Sequence, residues 1–458
     1  MSWYNFKKSG VLKAALLGSV ILLPAVSPAS ATSLDEAIKQ ALSANPDIGV
    51  VASNREAVDE ELRQARGLYL PQVDADASIG PAWRNDNASR NSGGSDTETV
   101  TSQTARLTVQ QRLFDGFEAG ATVEREKSRV ESAARRVYEN SEVLGLDAIG
   151  AYLEVLRTRE LVTLAERNLD VHLTILESIE ARLRGGGGSR ADVAQTQTRV
   201  ARARNSVTER YNLLRDSEAS FTRIVGSFPD DLNWPEFPSD ALPQDLDSAL
   251  LVAEQNNLTT KIAESDVDTA RAEVEVSEVP LWPSLSLEGS TAYTDGQDSI
   301  DKYEWNSEVL LTLRWNLFRG GIDRAARQEA LSRVNESKNR RYQSYLNSQQ
   351  EMRQSWYALE ASRQSVIDLE KAVDFSVETR DAYREQFDVA QRTLLDVLDA
   401  ENELFVTASE LVTAQTNEML ASFRVLAVGG VLLKTLNVTP PKQAFVEETS
   451  WTDGLLLD

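Results

Sequence analysis

Between Ile322 and Val428 stand 107 residues with neither glycine nor proline, and inside that run lies Gln391-Arg392-Thr393-Leu394-Leu395-Asp396-Val397-Leu398-Asp399-Ala400. Glycine and proline are the strongest helix breakers, so their absence permits very long helices. The apolar residues add a period. Leu331, Tyr345, Met352, Leu359, Val366 and Val373 fall on one seven-residue grid, with Lys338 as the exception. Leu398, Phe405, Val412, Met419 and Leu426 fall on another. A seven-residue repeat is the seam of a coiled coil. A single helix of this length would run ~160 Å, so the chain is expected to turn inside it. The apolar stripe thins between Val377 and Leu394, where Arg380, Arg384 and Gln391 take its places. The stretch 391–400 is the predicted turn. Taken alone, the run also fits a filament-like coiled coil.

Composition bounds the function. The chain has 458 residues, 41% hydrophobic, and a net charge of −23 with pI near 4.7. Two or three domains are possible. Nothing is basic enough to suggest nucleic acid. There is no cysteine, which excludes disulfides, thiolate catalysis, cysteine-held metal and a lipidated N-terminal cysteine. The single histidine, His172, lies in a helical pattern and reads as a surface or packing residue, with no second histidine to share a metal. Residues 1–31 read as a signal peptide: Lys7 and Lys8, an apolar run from Val11 to Val26, then Ala29-Ser30-Ala31. An uncleaved anchor is the alternative, but the apolar run is short for a span.

Outward from the opening run, the chain repeats itself. Helical spacing from Leu34 to Leu42 and from Asp47 to Leu68 ends at Pro71. The period then changes to two. Val73, Ala75, Ala77 and Ile79 alternate with Asp74, Asp76, Ser78 and Gly80, which predicts a strand. A polar stretch from Asn85 to Thr104 reads as a loop, and Leu107, Val109 and Leu113 predict a second strand. Long helices are expected over Glu118–Arg184 and Ala191–Ile224, broken by Gly185-Gly186-Gly187-Gly188. Pro229, Pro235, Pro238 and Pro243 mark an extended connector. Then Leu246-Asp247-Ser248-Ala249 echoes Leu34-Asp35-Glu36-Ala37, 212 residues on, and Pro283 follows Pro71 by the same offset. A helix over Asn257–Val279 and strands over Leu285–Tyr293 and Glu308–Leu317 complete the echo. Leu317-Phe318-Arg319-Gly320 follows Leu113-Phe114-Asp115-Gly116 by 204 residues, as Asp396-Val397 follows Asp192-Val193. The reading is an internal duplication. A first repeat covers 32–245, with a β-hairpin near 72–114 and a helical hairpin near 117–226. A second covers 246–436, with a β-hairpin near 284–318 and a helical hairpin near 319–428. A tail follows over 437–458.

Strands of roughly nine to eleven alternating residues suit a tilted crossing of an outer membrane, with lipid outside and water inside. Trp83, Trp282, Tyr293 and Trp315 stand where an aromatic belt would sit. Four strands cannot close a barrel, whose smallest natural form has about eight. Either several chains share one barrel, or the strands form a small soluble sheet.

The duplicated layout and the segment Arg392-Thr393-x-x-Asp396-Val397-Leu398-Asp399-Ala400 resemble the TolC family of outer-membrane efflux and secretion channels, over about Leu34–Leu436. The resemblance implies a mainly α chain with a membrane β-barrel, twelve strands shared by a homotrimer in outer-membrane lipid, and long helical hairpins forming a periplasmic tunnel. It also implies docking to a periplasmic adaptor and an inner-membrane pump, and no cofactor. The hairpin ends would form the closed inner mouth. Asp396 and Asp399, three apart, lie on one side of a helix and would ring the threefold axis as a cation-favouring constriction. Otherwise they are solvated surface acids. Arg392 matches the family arginine that helps hold the mouth shut, Asp192 is its candidate partner, and Phe387 stands where the family often has a tyrosine, so one hydrogen bond of the closed state is expected to be missing.

Gly185 to Gly188 lacks the Gly-Lys-Ser/Thr ending of a phosphate loop. A tight helix-to-helix turn using positive φ is the simpler reading. Followed by Ala191-Asp192-Val193 and Gln195, it resembles the family branch serving type I secretion. No nucleophile, base and acid set can be assembled, so an enzyme is not expected. The expected function is the exit duct of a type I secretion system with an ABC transporter as pump. The alternatives are a multidrug efflux duct and a non-pore periplasmic coiled-coil protein.

Overall fold

A computed structural model describes residues 32–84, 98–296, 303–389 and 391–446. The expected signal peptide, residues 85–97 of the expected loop and residues 447–458 of the tail lie outside the described residues. Two short helices open the fold, α1 (Leu34–Ala44) and α2 (Pro46–Gly67). Asn45 separates them because its side chain accepts from the Asp47 amide and Pro46 occupies the first helical turn. Strands β1 (Gln72–Arg84) and β2 (Glu98–Phe114) follow, then α3 (Glu118–Arg184) and α4 (Arg190–Val225). The order recurs as α5 (Leu246–Asn256), α6 (Leu258–Glu278), β3 (Ser284–Asp295), β4 (Glu304–Arg314), α7 (Ile322–Asp388) and α8 (Leu394–Val428). A one-turn helix, α9 (Leu432–Thr435), closes it. α3 and α7 each have 67 residues, ~100 Å of helix.

The same side chain marks each repeat. Asn45 caps α2 and donates from Nδ2 to the Ile224 carbonyl at 3.1 Å. Asn257 caps α6 and donates to the Val428 carbonyl at 3.1 Å. Each asparagine thus ties a short helix to the far end of a long one.

The four strands form one antiparallel sheet in the order β1-β2-β3-β4. Directly paired residues share a face. One face carries the rows Val73–Val109–Gly289–Val309 and Ala77–Ala105–Tyr293–Trp305. The other carries Asp74–Thr108–Ser290–Glu308 and Asp76–Arg106–Ala292–Asn306. Apolar side chains on the first face stand in the open, with Val309 75% and Trp305 65% exposed. Among the described residues, β1 and β4 keep one unpaired edge each.

Three expectations need correction. Residues 98–104, expected in a loop, belong to β2, where β-branched threonines suit the strand and Thr104 bonds Ser78 at 2.7 Å. β4 ends at Arg314, not Leu317. Trp315 continues the alternation but donates its indole N–H to the Leu281 carbonyl at 3.2 Å, outside the ladder. The turn predicted over 391–400 is shorter, because Thr393 starts a helix at Leu394.

Packing concentrates away from both ends. Ile38 of α1, Ala148, Ile149, Tyr152 and Leu153 of α3, Phe221 of α4, Phe423 and Leu426 of α8, and Leu432 share one buried cluster. The Tyr152 hydroxyl lies 2.8 Å from the Asn233 carbonyl and 3.0 Å from the Thr32 carbonyl, and accepts from the Asn233 amide at 3.1 Å. Glu142 of α3, buried, accepts from the Leu432 and Leu433 amides at 3.0 and 3.2 Å, capping α9. Burial pushes its carboxyl up to about 7, against the pull of those two amides.

Candidate functional site: the ends of the two helical hairpins

The first hairpin turns over Gly185–Ser189. Gly186 takes φ +83°, open to glycine at no cost. At Gly188 a Cβ would lie 2.7 Å from the Leu183 nitrogen, so only glycine lets the chain pass its own helix end. Ser189 caps α4 by accepting from the Ala191 amide at 3.1 Å. Asp192 sits in the first helical turn, half-buried, and makes no ion pair among the described residues.

The second hairpin is closed by a capping box. Thr393 Oγ1 accepts from the Asp396 amide at 3.3 Å, and Asp396 Oδ2 accepts from the Thr393 amide at 3.2 Å and its hydroxyl at 2.7 Å. These bonds, the hydroxyl first, hold the Asp396 carboxyl below the usual range, with Arg392 adding to them. Asp396 therefore performs a structural task in this chain besides any it has toward ions. Arg392 turns inward on its own hairpin. Its Nε donates to Gln386 Oε1 at 3.0 Å and its guanidinium lies 4.0 Å from the centre of the Tyr383 ring. Within one chain, Arg392 and Asp192 are not paired.

The two hairpins pack on each other at this end. Ile175 and Ile179 of α3 are buried against Leu394, Val397 and Leu398 of α8, with Val171, Val193, Tyr383 and Phe387 around them. Charged ties flank this apolar contact. Arg182 of α3 lies 3.4 Å from Asp388 and 4.4 Å from the centre of the Phe387 ring. Arg199 of α4 reaches Asp399 of α8 at 2.6 Å. Inside the second hairpin, Arg384 and Arg380 approach the buried Glu401 at 3.1 and 3.9 Å. Burial raises the Glu401 carboxyl and both arginines lower it. His172 is buried, its Nδ1 lacks a partner among the described residues, and burial, then Arg199, keeps it neutral to lower pH than usual.

Sequence reasoning singled out Asp396, Asp399, Arg392, Phe387 and Asp192, and missed Arg182, Arg199, Tyr383 and Glu401. Arg199 follows Asp192 by seven residues, the one available hint that it lies on the same helical stripe. Among the described residues no group of acids and histidines could hold a metal, and no helix is long and apolar enough to cross a membrane.

Residues 37–227 and 250–429 match the family described as outer membrane efflux protein. The chain belongs to that family. Its two matched segments fall on the two halves of the element order. The sequence is 26% identical over 427 residues to outer membrane efflux protein BepC of Brucella suis, covering 92% of this chain and 90% of that one. It is 25% identical over 422 residues to outer membrane protein TolC of Escherichia coli, covering 88% and 83%. Over 428 residues it is 24% identical to alkaline protease secretion protein AprF of Pseudomonas aeruginosa, covering 91% and 88%. In fold it is similar to the outer membrane protein VceC of Vibrio cholerae, with TM-score 0.72, 16% identity, and coverage of 87% of this chain and 96% of that one. As a family member it is an outer-membrane transport channel and not an enzyme. The reading as a non-pore coiled-coil protein falls with that membership.

Proposed function

We propose that this channel is the exit duct of a type I secretion system, passing a protein substrate out of the cell with an inner-membrane ABC transporter and a periplasmic adaptor. The observation that carries a duct is the sheet. It has one apolar and one polar face, and each of its two end strands has one edge without a partner among the described residues. Three copies joined edge to edge, β4 to β1, give twelve antiparallel strands with lipid on one side and water on the other. The helices hang from that barrel as a tunnel whose mouth is at the hairpin ends. There Asp396 and Asp399 form the acidic constriction and Arg392, Asp192 and Phe387 belong to the gate. Asp192, which makes no ion pair among the described residues, receives a cation from a neighbouring copy in this reading.

Support for secretion comes from the glycine-rich turn before Asp192 and from the resemblance to AprF, named for alkaline protease secretion. The second reading, drug efflux, rests on the resemblance to BepC, an efflux protein by name. Deleting the gene separates the two: loss of a secreted protein with unchanged drug sensitivity is expected. Full secretion with drug hypersensitivity would reverse the choice.

A further inference from the structure

The acidic mouth is not bare, and what covers it belongs to the opposite hairpin. Asp399, on α8, holds its Oδ1 2.6 Å from an Nη of Arg199, on α4. The two partners lie 200 residues apart in sequence and on different hairpins. They differ in setting: the Arg199 side chain is 22% exposed and the Asp399 side chain 57%. The arginine is thus anchored in the packed layer, and the carboxylate is the member that faces water. The His172 imidazole is buried, and burial, then the Arg199 charge, keeps it neutral to lower pH than usual, which disfavours a second cation beside the acid. Asp396, one helical turn away, is already committed to Thr393.

We propose that Arg199 is a charge mask for the mouth, a selectivity-determining residue that neutralises Asp399 while the two hairpins are packed and releases it when they part. This rests on the channel reading above. The physical reason is reach. A charge pair between two helices persists only while N and O stay within ~4 Å, and from 2.6 Å a parting of the hairpins of more than about 2 Å exceeds it. Opening therefore uncovers three carboxylates in a trimer at the moment the passage widens. The open mouth is more cation-selective than the resting one, the reverse of the dilution of charge that widening alone would cause.

The test uses the full-length channel in planar bilayers, with hexamminecobalt(III) added on the periplasmic side as a trivalent cation probe. Reversal potentials are read in a KCl gradient. Arg199→Gln is expected to tighten resting block roughly tenfold and to shift the reversal potential toward that of potassium. Asp399→Asn alone is expected to weaken resting block, because it leaves the Arg199 cation uncompensated at the mouth. In the double variant the gain disappears. Arg199→Lys keeps the cation and should behave as wild type, which a purely packing role for the arginine would not allow. Wild-type-like block in Arg199→Gln, or a double variant that keeps the tightened block of Arg199→Gln, overturns the mask while leaving a conducting channel. A wild-type protein with no conductance at all overturns the channel reading itself.

Discussion

The Arg182 guanidinium of the first hairpin lies 4.4 Å from the centre of the Phe387 ring of the second. A tyrosine hydroxyl is absent at this position, and a cation over an aromatic face stands there instead. Such a contact is worth ~0.5–1 kcal/mol at an exposed site. Phe387→Leu, which keeps apolar bulk but removes the ring, should raise resting conductance, and Arg182→Ala should do the same. The two changes together should fall short of additivity by about that energy. Strict additivity would show that the ring and the guanidinium act separately.

Asp396 is expected to act twice. Asp396→Ala should weaken trivalent cation block and also loosen the start of α8, since its carboxylate completes the capping box. Thr393→Ala should reproduce only the second effect, at a cost of ~1 kcal/mol. The folded carboxyl is depressed below its ordinary 3.8, so the cap is in place above that value and is lost as pH falls through the lower folded one. Block that fails already at pH 5 would place the responsible acid elsewhere.

For Arg392 and Asp192 the expected contact lies between copies. Arg392→Ala and Asp192→Ala should each raise resting conductance with trimer assembly intact. Less than the summed effect in the double variant would mark a direct pair. No rise in either single variant would remove both from the gate.

Glu142 gives a pH signature far from the mouth. Its folded carboxyl is raised to about 7 from 4.5. A group raised in the folded state contributes stability that is full below its unfolded value and lost as pH climbs through the folded one. The loss is bounded at roughly 3 kcal/mol by the size of the shift. Relative to Glu142→Gln, which does not titrate, the wild type should lose protection of the Leu432 and Leu433 amides between pH 5 and 8. Comparing hydrogen exchange of the two proteins at matched pH reads this directly, and parallel behaviour would mean that the carboxyl does not change charge in that window.

The glycine turn can be probed by a matched pair. Gly188→Ala puts a Cβ against the backbone of Leu183, while Gly187→Ala meets nothing nearer than 4.0 Å. The first should distort the hairpin end and raise leak conductance, and the second should be close to neutral. Equal effects would show that the turn tolerates a side chain at 188.

Much of the fold was legible because it is written twice. Pro71 with Pro283 and Phe114 with Phe318 located both hairpins, and a period change from seven to two separated helix from strand. Boundaries were harder. Trp315 and Leu317 keep the alternation of a strand past its end, and the polar threonines of 98–104 imitate a loop. At 391–400 the signal was present, since Thr393-x-x-Asp396 is a helix-start pattern, but the thinning of the apolar stripe at Arg380, Arg384 and Gln391 pointed to a turn across the whole stretch. The ties Arg182–Asp388 and Arg199–Asp399 span about 200 residues. Periodicity gives each partner's face but not the relative heights of two hairpins, so no local pattern could pair them.

The unpaired edges of β1 and β4 carry a consequence for the chain before it assembles. An isolated copy offers a strand of 13 residues on one side and of 11 on the other, each with open amides and carbonyls, beside an apolar face. Such edges bind any strand they meet, not only the correct one. With three copies sharing one barrel, as proposed above, newly made copies must be shielded in transit, and their safety depends on how fast three of them meet at the membrane. Production beyond that rate should drive copies into disordered, sheet-rich deposits, so the ceiling on how much of this protein a cell can hold is set by an encounter rate and not by the stability of the finished ring.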